Sequence, residues 1–326
     1  MILTVTLNPS LDRTVVVDRL VRGQVLRAQS TRLDPGGKGV NVTRALLANG
    51  VPSRAVLPVA GAEGDQLVGL LDAERVATDI VPVSGRTRSN ITVAEVDGTV
   101  TKLNEPGPSL TVEELDLVLD RALAGASPGG WVVLCGSLPP GAPADHYARM
   151  TERLTAAGLR VAVDTSGPAL AQVLAAGPHL IKPNAEELSE AVGRPLGSRA
   201  EVVDAAQELR GTGVGRVLVS LGPAGALLVD GSGVTVGESF APSPRSSVGA
   251  GDAFLAGFLA ALHVHGDTSN GSTRSALTQA LAWGAAAVQL PGSRMPGPGD
   301  IDPAAARLLP DELLRGRLAE PLVGTG

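Results

Sequence analysis

Short β-branched runs alternate with longer Ala/Leu-rich amphipathic stretches along this chain, and that alternation restricts its fold more than any other feature. Strand patterns fall at residues 2–7, 54–59, 131–135, 160–164, 179–182, 216–220 and 225–229. Helix patterns fall at 38–49, 65–75, 111–124, 143–157, 184–192, 199–211, 250–264, 274–290 and 303–315. Such alternation builds βαβ units, with crossover helices on the faces of a mostly parallel sheet. Aromatics are only 2% of the 326 residues against 44% hydrophobic, so Val, Leu, Ile and Ala must form the core. Sheets buried on both faces have that composition. The predicted class is α/β, and no linker or repeat divides residues 1–326 into further domains.

Two segments interrupt the pattern. Residues 13–32 and 89–103 read as hairpins, the second with Asp97-Gly98 between alternating residues, a strong hairpin signal. Together they predict a small β lid over the end of the sheet where open α/β folds bind ligands. The plain alternative is a pair of edge hairpins without a role.

Several function classes are excluded. A net charge of −6 and the lack of aromatic platforms argue against nucleic-acid partners. Cys135 has no second cysteine to pair with and sits in the apolar run Trp131-Val132-Val133-Leu134-Cys135, which predicts a packed thiol. No stretch approaches the roughly 18 apolar residues of a membrane helix, and the N-terminus opens directly into a strand. The expectation is a reduced, cytoplasmic protein without membrane partners.

Only three lysines occur, each in a Gly-, Pro- or Asn-marked motif: Lys38, Lys102 and Lys182. An ammonium is a compact point charge where a guanidinium is a wide fork, so retained lysines suit phosphate oxygens. The strongest local motif is Val248-Gly249-Ala250-Gly251-Asp252, running into an apolar helix. Small residues at a helix N-terminus make an anion-binding hollow. Asp252 is there either an N-cap or a general base taking a proton from an attacking alcohol. In Lys182-Pro183-Asn184-Ala185-Glu186-Glu187, Asn184 and Glu187 suit either a hydrated Mg²⁺ or a capping box. Ser220-Leu221-Gly222-Pro223-Ala224-Gly225 is a turn, or a backbone against which a nucleotide lies. Pro35-Gly36-Gly37-Lys38-Gly39-Val40-Asn41 is neither a Walker A loop nor a dinucleotide fingerprint. Asp12 is read as closing the first strand, where it is a turn residue or a grip on sugar hydroxyls.

In this order, Thr6-Leu7-Asn8-Pro9, Pro35 to Val42, Gly136-Ser137-Leu138-Pro139-Pro140-Gly141, Lys182-Pro183-Asn184, Ser220-Leu221-Gly222 and Val248 to Asp252 resemble the ribokinase-like (PfkB-type) sugar kinases over roughly residues 2–295. The resemblance is to the hexose-phosphate branch. It implies a ribokinase-like three-layer fold with a β-sheet lid and a homodimer formed through the lid. It implies ATP and Mg²⁺, and a ketohexose phosphate as acceptor. Within that resemblance Lys38 in Gly-Gly-Lys-Gly favours fructose 1-phosphate or tagatose 6-phosphate over fructose 6-phosphate, and the Lys-Leu-Asn-Glu-Pro-Gly-Pro stretch at 102–108 further favours fructose 1-phosphate, giving the 1,6-bisphosphate. Carried over, Asp252 is the proton acceptor, and Gly249, Ala250 and Gly251 form the anion hole. Asp12, Gly36, Gly37 and Asn41 belong to the sugar site, which Ser137 lines. Arg88 and Lys102 hold the phosphate already on the sugar, with Arg27 and Lys38 as further candidates. Lys182, Asn184, Ser220, Gly222 and Gly225 border ATP, and Asn184 with Glu187 organises Mg²⁺. A catalytically silent sugar-phosphate sensor is the remote alternative, and the retained Asp252 speaks against it.

Overall fold

The computed structural model describes residues 1–265 and 270–310. The chain begins β1 (Ile2–Thr6), β2 (Ser10–Val17), β3 (Ser30–Gly36), α1 (Lys38–Ala48), β4 (Ser53–Val59), α2 (Gly61–Ala73) and β5 (Thr78–Pro82). It continues through β6 (Arg88–Glu95), β7 (Val100–Asn104), α3 (Val112–Gly125), β8 (Trp131–Cys135), α4 (His146–Ala156), β9 (Arg160–Asp164) and α5 (Gly167–Leu174). Next come β10 (Leu180–Ile181), α6 (Ala185–Val192), α7 (Arg199–Gly211), β11 (Val217–Ser220), β12 (Ala226–Asp230) and β13 (Gly233–Ser239). The last elements are α8 (Ala250–His265), α9 (Asn270–Ala287) and β14 (Ala306–Leu308).

Ten strands form one sheet in the order β14-β13-β12-β11-β10-β9-β8-β1-β4-β5. From β5 to β11 every pairing is parallel; β12, β13 and β14 extend that sheet antiparallel. Alternate residues of each strand feed opposite layers. In β8, Val132 and Leu134 pack with α3 to α7, whereas Trp131, Val133 and Cys135 pack with α1, α8 and α9. Both α1 and α8 are enclosed: Gly39 to Leu46 of α1 are buried, Asn41 and Arg44 among them, and so are Asp252 to Leu262 of the largely apolar α8. Gly257 lets α8 press on α9, since a Cβ there would stand 2.9 Å from Trp283 Cγ. Phe258 and Leu259 of α8 are fully buried, each contributing about 1.5–3 kcal/mol of transfer free energy. Cys135 is a buried free thiol, as expected. No helix among the described residues is long and apolar enough to cross a membrane.

A second sheet, β3-β2-β6-β7, contains the two interrupting segments. It joins two antiparallel hairpins through the parallel pair β2–β6. Its strands start earlier than the hairpin signals indicated, at Ser10 and Arg88. Asp12 therefore does not close the first strand. It lies within β2, opposite Asp34 on β3 and Asn90 on β6.

One further expectation needs correction, and α5, β5 and β13 have no counterpart in the sequence reading. Residues 303–315 do not open as a helix: Pro303–Ala305 is a 3₁₀ turn, and β14 pairs Ala306 with Ser239 and Leu308 with Gly237. Pairing with the sheet edge there overrides the high helix propensity of Ala304, Ala305 and Ala306, and residues 311–315 lie outside the described residues. Helix α5 was not anticipated, because its eight residues open on Gly167-Pro168, which reads as a turn. Strands β5 and β13 were also missed; Pro82 ends one and Gly233 begins the other, masking their patterns.

Candidate active site

The carboxyl ends of the parallel strands deliver the motif residues to one edge of the large sheet, the usual ligand edge of such folds. Asp164 ends β9, Lys182 follows β10, Ser220 ends β11, and α8 begins just before Asp252. Asp252 lies inside the first turn of α8, past the N-cap position, and its carboxylate faces another helix. Asn41 Nδ2 of α1 donates to Asp252 Oδ2 at 2.9 Å, and both residues are buried. Burial first, and the nearby Asp164 charge second, push Asp252 up to about 6, while Asn41, Lys38 and Lys182 pull the other way. A carboxylate so placed gains a proton near neutral pH, as a general base must.

Asp164 was not anticipated, yet it organises the site. Lys38 Nζ donates to its Oδ1 at 2.8 Å. Lys182 Nζ lies 3.2 Å from Oδ2, an ion pair not aligned as a hydrogen bond. Lys38 also stands 3.5 Å from Glu187 Oε1. Burial raises the pKa of Asp164, but the charges of Lys182 and Lys38 outweigh it and hold the group below the ordinary carboxylate range. Burial would lower the Lys38 ammonium, and the Asp164 and Glu187 carboxylates more than reverse that. Two of the three lysines thus share one buried acid. The available signal was an aspartate ending the apolar run Val161-Ala162-Val163-Asp164.

The turn ahead of α8 is tightly packed at Gly249, while at Gly251 only Lys182 stands close. Gly249 has φ +76°, and a Cβ on it would stand 2.5 Å from Met295 Cε. A Cβ on Gly251 would stand 3.7 Å from Lys182 Nζ, which puts that ammonium beside the hollow. The Ala250 amide already donates to Ser247 O at 3.3 Å.

Asn184 and Glu187 adopt the capping box in full. Glu187 N donates to Asn184 Oδ1 at 2.7 Å, and Asn184 N donates to Glu187 Oε2 at 2.9 Å. That leaves Glu187 Oε1 turned toward Lys38. Ser220 and Asn184 form a parallel bridge, with Ser220 N donating to Pro183 O at 3.1 Å. Gly222 and Gly225 have positive φ, 56° and 92°, and a Cβ on Gly225 would collide with Gly237 O.

On the small sheet, Asp12 Oδ1 accepts from Ser10 Oγ at 2.7 Å and from Asn90 Nδ2 at 3.0 Å. Burial raises the Asp12 carboxyl, with Ser10, Asn90 and Arg88 opposing. A Cβ on Gly36 would overlap that carboxylate, so only glycine fits opposite it. Gly37, with φ +112°, approaches Thr6 and Pro9. Arg88 donates from Nε to Asn8 O and from Nη1 to Glu105 O, each at 3.2 Å. Asn8 Nδ2 in turn donates to Pro106 O at 3.0 Å and lies 3.5 Å from Ser137 Oγ. Arg88, Ser137 and the Thr-Leu-Asn-Pro turn therefore form one cluster. Ser10 and Asn90 were missed as partners of Asp12, because small polar residues on an alternating strand carry no signal of their own. Lys38 does not join the Arg88 cluster; it faces Asp164 and Glu187 instead. Lys102 on β7 and Arg27 in the β2–β3 loop are exposed.

Residues 5–298 match the profile of the pfkB family carbohydrate kinase. A 1-phosphofructokinase of Xanthomonas campestris pv. campestris is 41% identical over 266 residues, covering 80% of this chain and 83% of that one. An ATP-dependent 6-phosphofructokinase isozyme 2 of Mycobacterium tuberculosis is 38% identical over 263 residues, covering 80% and 77%. Phosphofructokinase-2 from Escherichia coli, solved in complex with substrates and products, superposes with a TM-score of 0.85 at 34% identity, covering 92% of this chain and 96% of that one. With its glycine-lined hollow, buried acids and two-sheet architecture, the chain belongs to the pfkB family of carbohydrate kinases.

Proposed function

We propose that this kinase transfers the terminal phosphoryl group of ATP to a ketohexose phosphate, with fructose 1-phosphate as the preferred acceptor and fructose 1,6-bisphosphate as the product. The observation that carries the reading is Asp252, a buried carboxylate pushed up to about 6 and held beside a hollow flanked by Lys182. In the reaction the sugar hydroxyl oxygen bonds to the γ-phosphorus and the bond from that phosphorus to the ADP oxygen breaks. The hydroxyl proton passes to Asp252. Such transfers have a loose transition state, so placement and charge stabilisation do most of the work. Gly249, Ala250 and Gly251 are assigned to the hollow that receives the moving group, with Lys38 and Lys182 supplying positive charge. Asp12, Gly36, Gly37, Asn41 and Ser137 are assigned to the sugar, and Arg88 to its existing phosphate. Lys102 and Arg27 are assigned to the same phosphate from the small sheet, which serves as a lid. Ser220, Gly222, Gly225 and Asn184 are assigned to the nucleotide.

The donor set fits Mg²⁺. No group of three or more His, Cys, Asp or Glu converges among the described residues, and Mg²⁺ characteristically takes one or two carboxylates along with phosphate oxygens and water. Glu187, whose Oε1 is left over by the cap, would hold it. Asn184, whose side-chain oxygen is engaged in the cap, would act through water. The ion would supply charge neutralisation on the phosphates.

Lys38 and the 1-phosphofructokinase relative support fructose 1-phosphate. The 6-phosphofructokinase relative supports the second reading, fructose 6-phosphate. Val96, Val100 and Leu103, large apolar side chains exposed on the small sheet and its turn, support a homodimer through the lid. Residues 1–326 act in this reading as one kinase domain.

With MgATP and each acceptor assayed in turn, kcat/KM is highest for fructose 1-phosphate; equal or better turnover of tagatose 6-phosphate or fructose 6-phosphate reverses the ranking. Asp252→Asn lowers kcat by about 10²–10⁴-fold or more while ATP still binds, and near-normal turnover in that variant removes the base from the mechanism. Arg88→Ala raises the KM for the sugar phosphate about tenfold or more with a smaller change in kcat. An unchanged KM places that phosphate elsewhere.

A further inference from the structure

Arg44, one turn along α1 from Asn41, is buried and has no part in the reaction described so far. Its guanidinium makes a bidentate pair with Glu74 at the end of α2, Nε to Oε2 at 2.7 Å and Nη2 to Oε1 at 2.8 Å. The remaining nitrogen, Nη1, donates to Ser293 O at 3.0 Å, to Asn41 Oδ1 at 3.3 Å and to Pro35 O at 3.5 Å. Asn41 thus stands between a group that only donates and one that, when ionised, only accepts. Its amide has one satisfactory orientation there: oxygen toward Arg44, nitrogen toward Asp252. The flipped amide would set two donors face to face on one side and two acceptors on the other.

We propose that Arg44 is a positioning residue which locks the Asn41 amide so that it donates to Asp252 and thereby keeps that carboxylate a proton acceptor. Without the guanidinium the amide is free to turn its oxygen toward Asp252. It then accepts a hydrogen bond from the O–H of the acid form, and that form gains a partner which the ionised form loses. Arg44 acts only through Asn41. Asn41 of α1 is the hydrogen-bond partner of Asp252; the titratable and charged groups that act on it through space are Lys38 from α1, Asp164 at the end of β9, Lys182 after β10 and the Cys135 thiol at the end of β8. Pro35 and Ser293 come from the end of the small sheet and from the loop after α9, so the same side chain also ties those segments to the base.

The proposal rests on Asp252 being the base, and kcat at saturating substrates across about pH 5 to 9 tests it, because that profile reports groups in the loaded enzyme. Arg44→Met keeps apolar bulk and removes the donors. The acid limb of its kcat profile moves up by about one pH unit, while kcat at high pH stays within about threefold of the parent. Arg44→Lys, which retains a charged donor for Asn41 Oδ1, moves the limb less. An unmoved limb, or a loss by the same factor at every pH, overturns the proposal and leaves Arg44 a staple between helices. If Arg44→Met does not fold, Glu74→Ala releases the guanidinium fork at a half-exposed carboxylate. The limb then moves in the same direction by a smaller amount, and an unmoved limb overturns the proposal. Asp252→Asn run alongside separates the two claims. Turnover in that variant defeats the base itself. An inactive Asp252→Asn with an unmoved Arg44→Met limb defeats only the lock.

Discussion

A carboxylate sealed from water requires cations, and Asp164 takes two, the ammonium groups of Lys38 and Lys182. Removing one partner of such a buried pair typically costs about 3–5 kcal/mol, because the remaining charge is left uncompensated. The arrangement therefore constrains three elements at once: the end of β9, the segment after β10 and the first residue of α1. Charge, not apolar packing, sets the spacing of the strand ends where the proposed reaction takes place. It also explains why lysine survives at these positions in a chain that otherwise uses arginine. One carboxylate flanked by two compact ammonium groups leaves little room for a planar fork.

The same charge reaches Asp252. Two buried acids near each other cannot both ionise easily, and here the surroundings push their pKa values apart. Asp164, between the lysines, is held low; Asp252, with only an amide as direct partner, is raised. The lysines thus have a double part. They keep Asp164 charged, and Lys182 also stands beside the hollow where a phosphoryl group would arrive. In the proposed reaction the permanently charged acid organises cations, and the neighbouring acid is left to exchange a proton.

Much of this was legible in the residue order. The parallel sheet followed from alternating apolar runs, and the second sheet from Asp97-Gly98 and the segment after Thr14. The glycines of these motifs stand where a Cβ would crowd the chain's own side chains: Gly36 at the Asp12 carboxylate, Gly37 at Thr6 and Gly249 at Met295. What could not be read was pairing across distance. Asp164 is a single acid at a strand end, and its meaning depends on two lysines 126 residues before it and 18 after it. The direction of Lys38 depends on how α1 lies against β9, so its side chain points to Asp164 and not to the Arg88 cluster. For Asn184 and Glu187 the capping box is formed in full, and the spacing that suggested it did not reveal that Glu187 Oε1 turns toward Lys38. The tail segment at 303–308 was misread because a three-residue strand at a sheet edge has no periodicity to detect.

The account stands most directly on the influence of Asp164 over Asp252, and the acid limb of kcat for Asp164→Asn reads it. With the neighbouring negative charge removed and two lysines freed beside it, Asp252 ionises more easily. The limb is then predicted to move to lower pH by about one unit, on a reduced plateau. A limb that stays in place, or moves to higher pH, contradicts the account.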